Sequence, residues 1–291
     1  MSVVSEDELA AAACGGGLKV HSIRAFSAFE FNSPPVVLVH GPPESGLSTF
    51  ISSLLIHTQQ TRGLDGAVVL TDRKSETYMG GTIPHEFVLR RPLTFEAVLK
   101  SLVDLQRHRR SARPDQELLR LAVAVDDCIP SQSVLKSESL LGLIRFAKEV
   151  NIMVIIGVSD MSKLPPVHTF ATHVAATRCV STEDPKLLQK RMFVRAPNAS
   201  ALAEILASCQ EHEFLVGLLR SPGPSASTLQ DFMRSYTPTY YVQRSELART
   251  PYAWRGDEVA AAPGFCLGEF HMDMEVQLLL IKALGYVPQE A

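Results

Sequence analysis

The chain has 291 residues, 46% of them hydrophobic and 20% charged, with a formal net charge of −3. That length admits one large α/β domain, with or without a small appendage, and the composition is that of a protein with a substantial core. The charge excludes a global field that would draw the chain to nucleic acid or to an anionic membrane, so any such contact has to come from a local patch or from assembly.

Residues 1–17 end in small residues, "AAAACGGG", without hydrophobic period, and read as a frayed tail. From "PPVVLVHG" onward, apolar bursts alternate with helical stretches. "VVLVH" (36–40) reads as a buried strand, and "STFISSLLIHTQQ" (48–60) as the helix after it. "GAVVLTD" (66–72) is a second strand and "TFEAVLKSLVDLQRHRR" (94–110) a second helix. "LRLAVAVDDC" (119–128), "SLLGLIRFAKEV" (139–150) and "IMVIIGVSD" (152–160) continue as strand, helix and strand, and "HVAATRC" (173–179) reads as a fifth strand. Uninterrupted β-branched runs separated by helices predict an α/β fold, a mostly parallel sheet with helices on both faces.

Beyond residue 198 the pattern changes. "NASALAEILASCQ" (198–210) and "HEFLVGLLR" (212–220) read as helices, "SPGPSAS" (221–227) as a linker, and "TYYVQRS" (239–245) as a late strand at the sheet edge. "MEVQLLLIKALGYV" (274–287) is an amphipathic helix, in an extension placed at 257–291 after a main domain over 18–256. No apolar run reaches the roughly 18 residues of a membrane helix. The acidic start, Glu6, Asp7 and Glu8, is unlike a secretory signal, so a soluble, cytoplasmic protein is expected.

The candidate chemistry begins at "HGPPESGLST", residues 40–49. Gly41 and Gly46 have the spacing of the phosphate loop G-x-x-x-x-G-K-[ST], and Ser48 and Thr49 supply its hydroxyls, but Leu47 stands where the lysine belongs. Such a loop works because backbone N–H groups point inward at the positive end of the following helix. Gly41, Pro42, Glu44, Ser45, Gly46, Leu47, Ser48 and Thr49 are therefore the candidate cofactor-binding residues, with Ser48 reaching Mg²⁺. The alternative is a structural turn between strand and helix. A second feature weighs against it: "LAVAVDD" puts Asp126 and Asp127 at the carboxyl end of an apolar strand, the edge where open parallel sheets bind ligands. Asp126 would hold Mg²⁺ through water and Asp127 would polarise the attacking water; as a bland alternative, both acids cap a turn.

Taken in order, these pieces resemble the DNA-packaging ATPases of the nucleocytoplasmic large DNA viruses (poxvirus type), in the FtsK–HerA branch of P-loop ATPases. "GPPESGLS" is similar to that family's GPSGSGKT-like loop apart from Leu47, and "AVAVDDC" to its strand ending in two acids. "RFAKEVNIMVIIGVSD", "KLPPVHTFATHVAAT" and "YYVQRSELARTPYAWRG" follow the later elements, over roughly residues 34 to 256. The resemblance implies a P-loop NTPase-like fold, ATP and Mg²⁺ as cofactors, and a homo-oligomeric ring on double-stranded DNA. It also implies capsid proteins as partners and a place in a viral factory or virion. By the same resemblance, Lys148 falls at the position of a trans-acting arginine and Ser159 at that of a sensor glutamine, which makes Asp127, Lys148 and Ser159 the candidate catalytic set. Lysine keeps the charge but loses the bidentate fork of arginine. Arg145 and Arg178 are candidates to replace the missing lysine. The departures together point to weakened hydrolysis, or to an inactive scaffold that keeps the fold. A small-molecule phosphotransferase is disfavoured because no arginine-rich lid is evident.

Other features carry less. The five cysteines, 14, 128, 179, 209 and 266, are odd in number and never in C-x-x-C spacing, and the histidines are dispersed. The cysteine pattern reads against a zinc site or disulfide framework and for a reducing compartment, and the scattered histidines give metal catalysis little support. "RHRRSAR" (107–113) is a basic cluster that suits either a DNA backbone or a solvated helix end. Trp254 with Tyr240, Tyr241 and Tyr252 suits either base stacking or an aromatic core.

Overall fold

The computed structural model describes residues 20–23, 34–71, 88–89, 92–126, 135–163, 170–179, 181–193, 198–209, 213–218 and 239–244. The expected tail, linker and C-terminal extension lie outside these residues, as do Asp127, Tyr252 and Trp254.

Among the described residues nine strands form one sheet: β1 (Val20–Ile23), β2 (Val36–His40), β3 (Gly66–Thr71), β4 (Val88–Leu89), β5 (Leu121–Asp126), β6 (Ile152–Val158), β7 (His173–Ala176), β8 (Glu213–Leu218) and β9 (Thr239–Arg244). Their order across the sheet is β1-β9-β8-β7-β2-β6-β5-β3-β4. All neighbours pair in parallel except β8, which is antiparallel to both β7 and β9. The α/β fold with a mostly parallel sheet is therefore as expected from the β-branched runs. Every residue of β2, β3, β5, β6 and β7 is buried, so these strands are covered on both faces.

The helices are α1 (Leu47–Arg62), α2 (Pro92–Ala112), α3 (Glu138–Phe146), α4 (Asp184–Arg191) and α5 (Ala199–Ser208). α1 lies over β5 and β6, α2 packs on α3, and α4 packs on α5. Caps mark where two of them start: Ser137 Oγ accepts from the Leu140 N–H at 3.2 Å, and Asn198 Oδ1 from the Ala201 N–H at 2.7 Å. Buried Gln106 on α2 donates through Nε2 to the carbonyls of Leu119 (2.6 Å) and Val150 (2.7 Å), tying the helix to the chain just before β5 and β6. Phe50 on α1 meets Phe214 on β8 with ring centroids 4.4 Å apart, which links the parallel half of the sheet to the antiparallel strand.

Four expectations need correction. "HEFLVGLLR" is not a helix: Glu213–Leu218 is β8, fully buried over 213–217. A short apolar run fits either period, and pairing with strands on both sides decides it. β9 is not the edge, because β1 adds outside it in parallel. α3 stops at Phe146, and residues 147–151 turn into β6, so Lys148 is on a turn and not on the helix. α1 opens at Leu47, one residue before the expected hydroxyl pair. β1, β4 and α4 are not among the elements expected from the sequence.

Candidate nucleotide-binding site

The carboxyl ends of β2, β5, β6 and β7 share one edge of the sheet, and the candidate residues gather there. His40 ends β2, and the Gly41 N–H donates to the Val158 carbonyl at 3.2 Å, which holds the start of the loop against β6. Two residues in the loop adopt the left-handed region, Glu44 (φ 66°) and Gly46 (φ 87°). For a residue with a side chain this conformation costs about 1–2 kcal/mol, so the loop keeps Glu44 there against its local preference. Pro42 and Pro43 carry no N–H, and the Ser45 N–H donates to the Pro42 carbonyl at 3.2 Å. The first helical bond runs from the Phe50 N–H to the Gly46 carbonyl at 2.8 Å. The N–H groups of Leu47, Ser48 and Thr49 precede it and have no acceptor within the helix, which makes this end of α1 the electropositive one.

A Cβ on Gly41 would fall on Ser45 Oγ and lie 3.3 Å from Thr177 Cγ2, so any larger residue here would have to displace the Ser45 hydroxyl. Ser45 Oγ is itself buried and has no hydrogen-bond partner among the described residues. Ser48 and Thr49 are half-buried at the start of the helix.

Leu47 does not point into an open phosphate position. Its side chain is 4% exposed and belongs to the core. A Cβ on Gly157 of β6 would sit 3.3 Å from Leu47 Cδ1 and 2.6 Å from Ile51 Cδ1, so both side chains rest directly on the β6 backbone. The residue in the lysine position thus anchors α1 to the sheet. Gly157 is the complement that sequence reasoning missed; a glycine inside an apolar strand signals close approach of another group.

Asp126 is fully buried at the end of β5. In register it lies between Thr71 on β3 and Gly157 on β6, and Gly157 in turn pairs with Val39 on β2. Residues paired in register share a face, so Asp126 stands on the face that carries Gly157, Leu47 and α1. Burying a carboxylate costs several kcal/mol unless charge or hydrogen bonds compensate it, and the positive end of a helix together with a cation is suited to do so. Ser159, half-buried, follows the last residue of β6 at the same edge.

The basic candidates divide between two edges. Lys148 and Arg145 are exposed and precede β6, at the amino edge. The seven residues of β6, roughly 20 Å of strand, lie between them and the loop of their own chain. Arg145 places its guanidinium carbon 5.9 Å from the centre of the Phe170 ring. Arg178 is exposed two residues after β7, at the loop's edge, next to Thr177 whose N–H donates to the His40 carbonyl at 3.2 Å. The residues that geometry gathers are therefore Gly41 to Thr49, Asp126, Ser159 and Arg178. Lys148 and Arg145 are not among them.

No protein-family model and no curated protein matches the chain, so the resemblance to the poxvirus-type packaging ATPases has no sequence-level match behind it. Solved structures do match. The cytoplasmic domain of the Thermomonospora curvata type VII secretion ATPase EccC is 14% identical, with TM-score 0.51, over 84% of this chain and 28% of that one. The genome packaging NTPase B204 of Sulfolobus turreted icosahedral virus 2, in complex with ATP-gammaS, is 12% identical, with TM-score 0.47, over 72% of this chain and 98% of that one. The pCW3 conjugation coupling protein TcpA with ATPgS is 19% identical, with TM-score 0.46, over 64% and 58%. The likeness shows the fold. A mostly parallel sheet with a strand, glycine loop and helix at its carboxyl edge is the P-loop NTPase arrangement, and the loop, Asp126 and Ser159 stand at that edge. Among the described residues no helix is long and apolar enough to cross a membrane.

Proposed function

We propose that the chain binds ATP with Mg²⁺ across residues 41–49 and acts as one subunit of a ring-forming, DNA-translocating ATPase of the genome-packaging kind, with turnover slowed by Leu47. The observation that carries the nucleotide half is Asp126, a fully buried carboxylate on the face where the first turn of α1 meets the sheet. In this reading the first-turn N–H groups and Ser45 Oγ take the phosphates. Ser48 and Asp126 hold the metal, Asp126 through water, and Asp127 polarises the attacking water. Arg178, exposed at the loop's edge, is a cation of the same chain that can approach the phosphates. Lys148 and Arg145, at the opposite edge, can act only on a neighbour's nucleotide, which is what a ring supplies. The DNA, capsid and viral parts of the proposal rest on the sequence resemblance.

Without lysine the β- and γ-phosphates lose one charged donor, an effect of about 10²–10³-fold on the chemical step. A second reading, a scaffold that keeps the fold but not turnover, is favoured by one observation: Leu47 closes the helix onto Gly157 as a core residue.

Calorimetry with ATP, with and without Mg²⁺, on the full chain tests the site. We expect Mg²⁺-dependent binding that weakens at least about tenfold in Asp126→Asn, the loss of a metal-holding carboxylate. No binding at millimolar ATP overturns the nucleotide reading. Slow hydrolysis abolished by Asp127→Asn supports the motor; binding with no turnover in any oligomeric state overturns the motor in favour of the scaffold.

A further inference from the structure

The last two residues of β2 face opposite ways. Val39 shares the row of Gly157 and lies under α1, whereas His40 pairs with Val158 and Ala176 and is directed to the other face of the sheet. His40 is 2% exposed there, at the foot of the phosphate loop. Two other side chains converge on it, Cys179 from the segment after β7 and Asp184 from the first residue of α4. A ring nitrogen of His40, the Sγ of Cys179 and a carboxylate oxygen of Asp184 all lie within 4.8 Å of one another.

The surroundings orient these groups. His40 Nδ1 lies 3.1 Å from the Val158 carbonyl oxygen. A carbonyl only accepts, so in the neutral ring Nδ1 carries the hydrogen and Nε2 carries the lone pair, the pattern by which metal-bound histidines are fixed by a partner behind them. Asp184 Oδ2 accepts from the Ser181 N–H at 3.1 Å, which holds the carboxylate at the start of α4. Cys179 is half-buried and the neighbouring Cys209 is buried; burial, with the Asp184 charge adding to it, pushes the Cys179 thiol up to about 12 in the metal-free protein.

We propose that His40, Cys179 and Asp184 form a binding site for a thiophilic divalent transition metal of the zinc class. One imidazole, one thiolate and one carboxylate make a mixed N, S, O set that suits zinc or cobalt, and a thiolate is a poor ligand for Mg²⁺ or Ca²⁺. Bonds of about 2.0–2.3 Å to a tetrahedral ion put ligand atoms roughly 3.5 Å apart, so each side chain has to move inward by less than about 1 Å. On binding, the thiol proton leaves to solvent and the sulfur binds as thiolate. The ion ties the residue before Gly41 to the segment that carries Thr177 and Arg178. It therefore braces the phosphate loop from the face opposite Asp126, and its ligands are separate from the oxygen donors assigned to Mg²⁺.

The test is a cobalt titration of the full chain after chelator treatment. We expect one equivalent to produce a thiolate-to-cobalt charge-transfer band and the visible bands of a tetrahedral ion, both bleached by zinc and untouched by millimolar Mg²⁺. Cys179→Ser should lose the charge-transfer band, Cys14→Ser should keep it, and Asp184→Asn should bind at least about tenfold more weakly. His40 is core-buried, so Asp184→Asn, at a half-exposed helix start, is the variant that tests the site in a folded protein. Zinc should raise the melting temperature of the wild type, and at the same concentration raise that of Asp184→Asn by less. No charge-transfer band in the wild type, a band of full intensity in Cys179→Ser, or displacement by Mg²⁺ overturns the proposal. None of these outcomes bears on ATP binding, which the calorimetry above reads separately.

Discussion

The two faces of the sheet at the end of β2 have opposite chemistry. On the α1 face, Leu47 and Ile51 press onto Gly157, and the carboxylate of Asp126 is buried in the same row. On the other face, one residue further along, His40 meets Cys179 and Asp184. The first region is closed by apolar contact and the second by polar groups from three separate segments. The difference teaches that a strand ending at a ligand edge can serve two sites, because alternation separates them by a single residue.

The comparison breaks most readily at Leu47. Leu47→Ala removes a buried side chain that holds α1 to the sheet, and should cost about 2–5 kcal/mol in denaturant unfolding. A cost below about 1 kcal/mol would mean that the loop and helix are not fastened through this contact. Approaching the same seam from the sheet, Gly157→Val adds a branched side chain where even a Cβ meets Ile51 at 2.6 Å. It should cost about 1–3 kcal/mol and leave cobalt binding on the far face unchanged. Loss of both together would show the two faces to be coupled. The smallest effect belongs to the loop itself. Glu44→Gly relieves the left-handed conformation at φ 66° but adds freedom to the unfolded chain, so stability should rise by less than about 1 kcal/mol. A clear loss would instead assign the Glu44 side chain a contact worth more than its strain.

Much of the fold is legible in particular residues. "VVLVH", "GAVVLT", "LAVAVD" and "IMVIIGV" are too apolar and too β-branched for surface strands, and each is a fully buried parallel strand. "EFLVGL" misled because its four apolar side chains fit a helix turn as well as a buried strand, and only its two antiparallel neighbours resolve it. The strand, glycine turn and helix were readable because they are contiguous, and the place of Asp126 at the strand end because it closes an apolar run. The roles of Gly157 and Thr177 were not readable, since each depends on which strand the loop folds against.

The sequence by itself determined the local pattern: the runs that must be buried, the glycines that permit the turn, and the leucine where the phosphate-loop motif has lysine. These follow from side-chain shape, apolar period and backbone freedom, which are properties of neighbouring residues. Only the tertiary structure decided what Leu47 touches, which edge carries Lys148, and that His40, Cys179 and Asp184 meet. Those facts depend on strand order and register. Placing β7 beside β2 brings residues well over a hundred positions apart to one corner of the sheet, and no spacing within the chain encodes that distance.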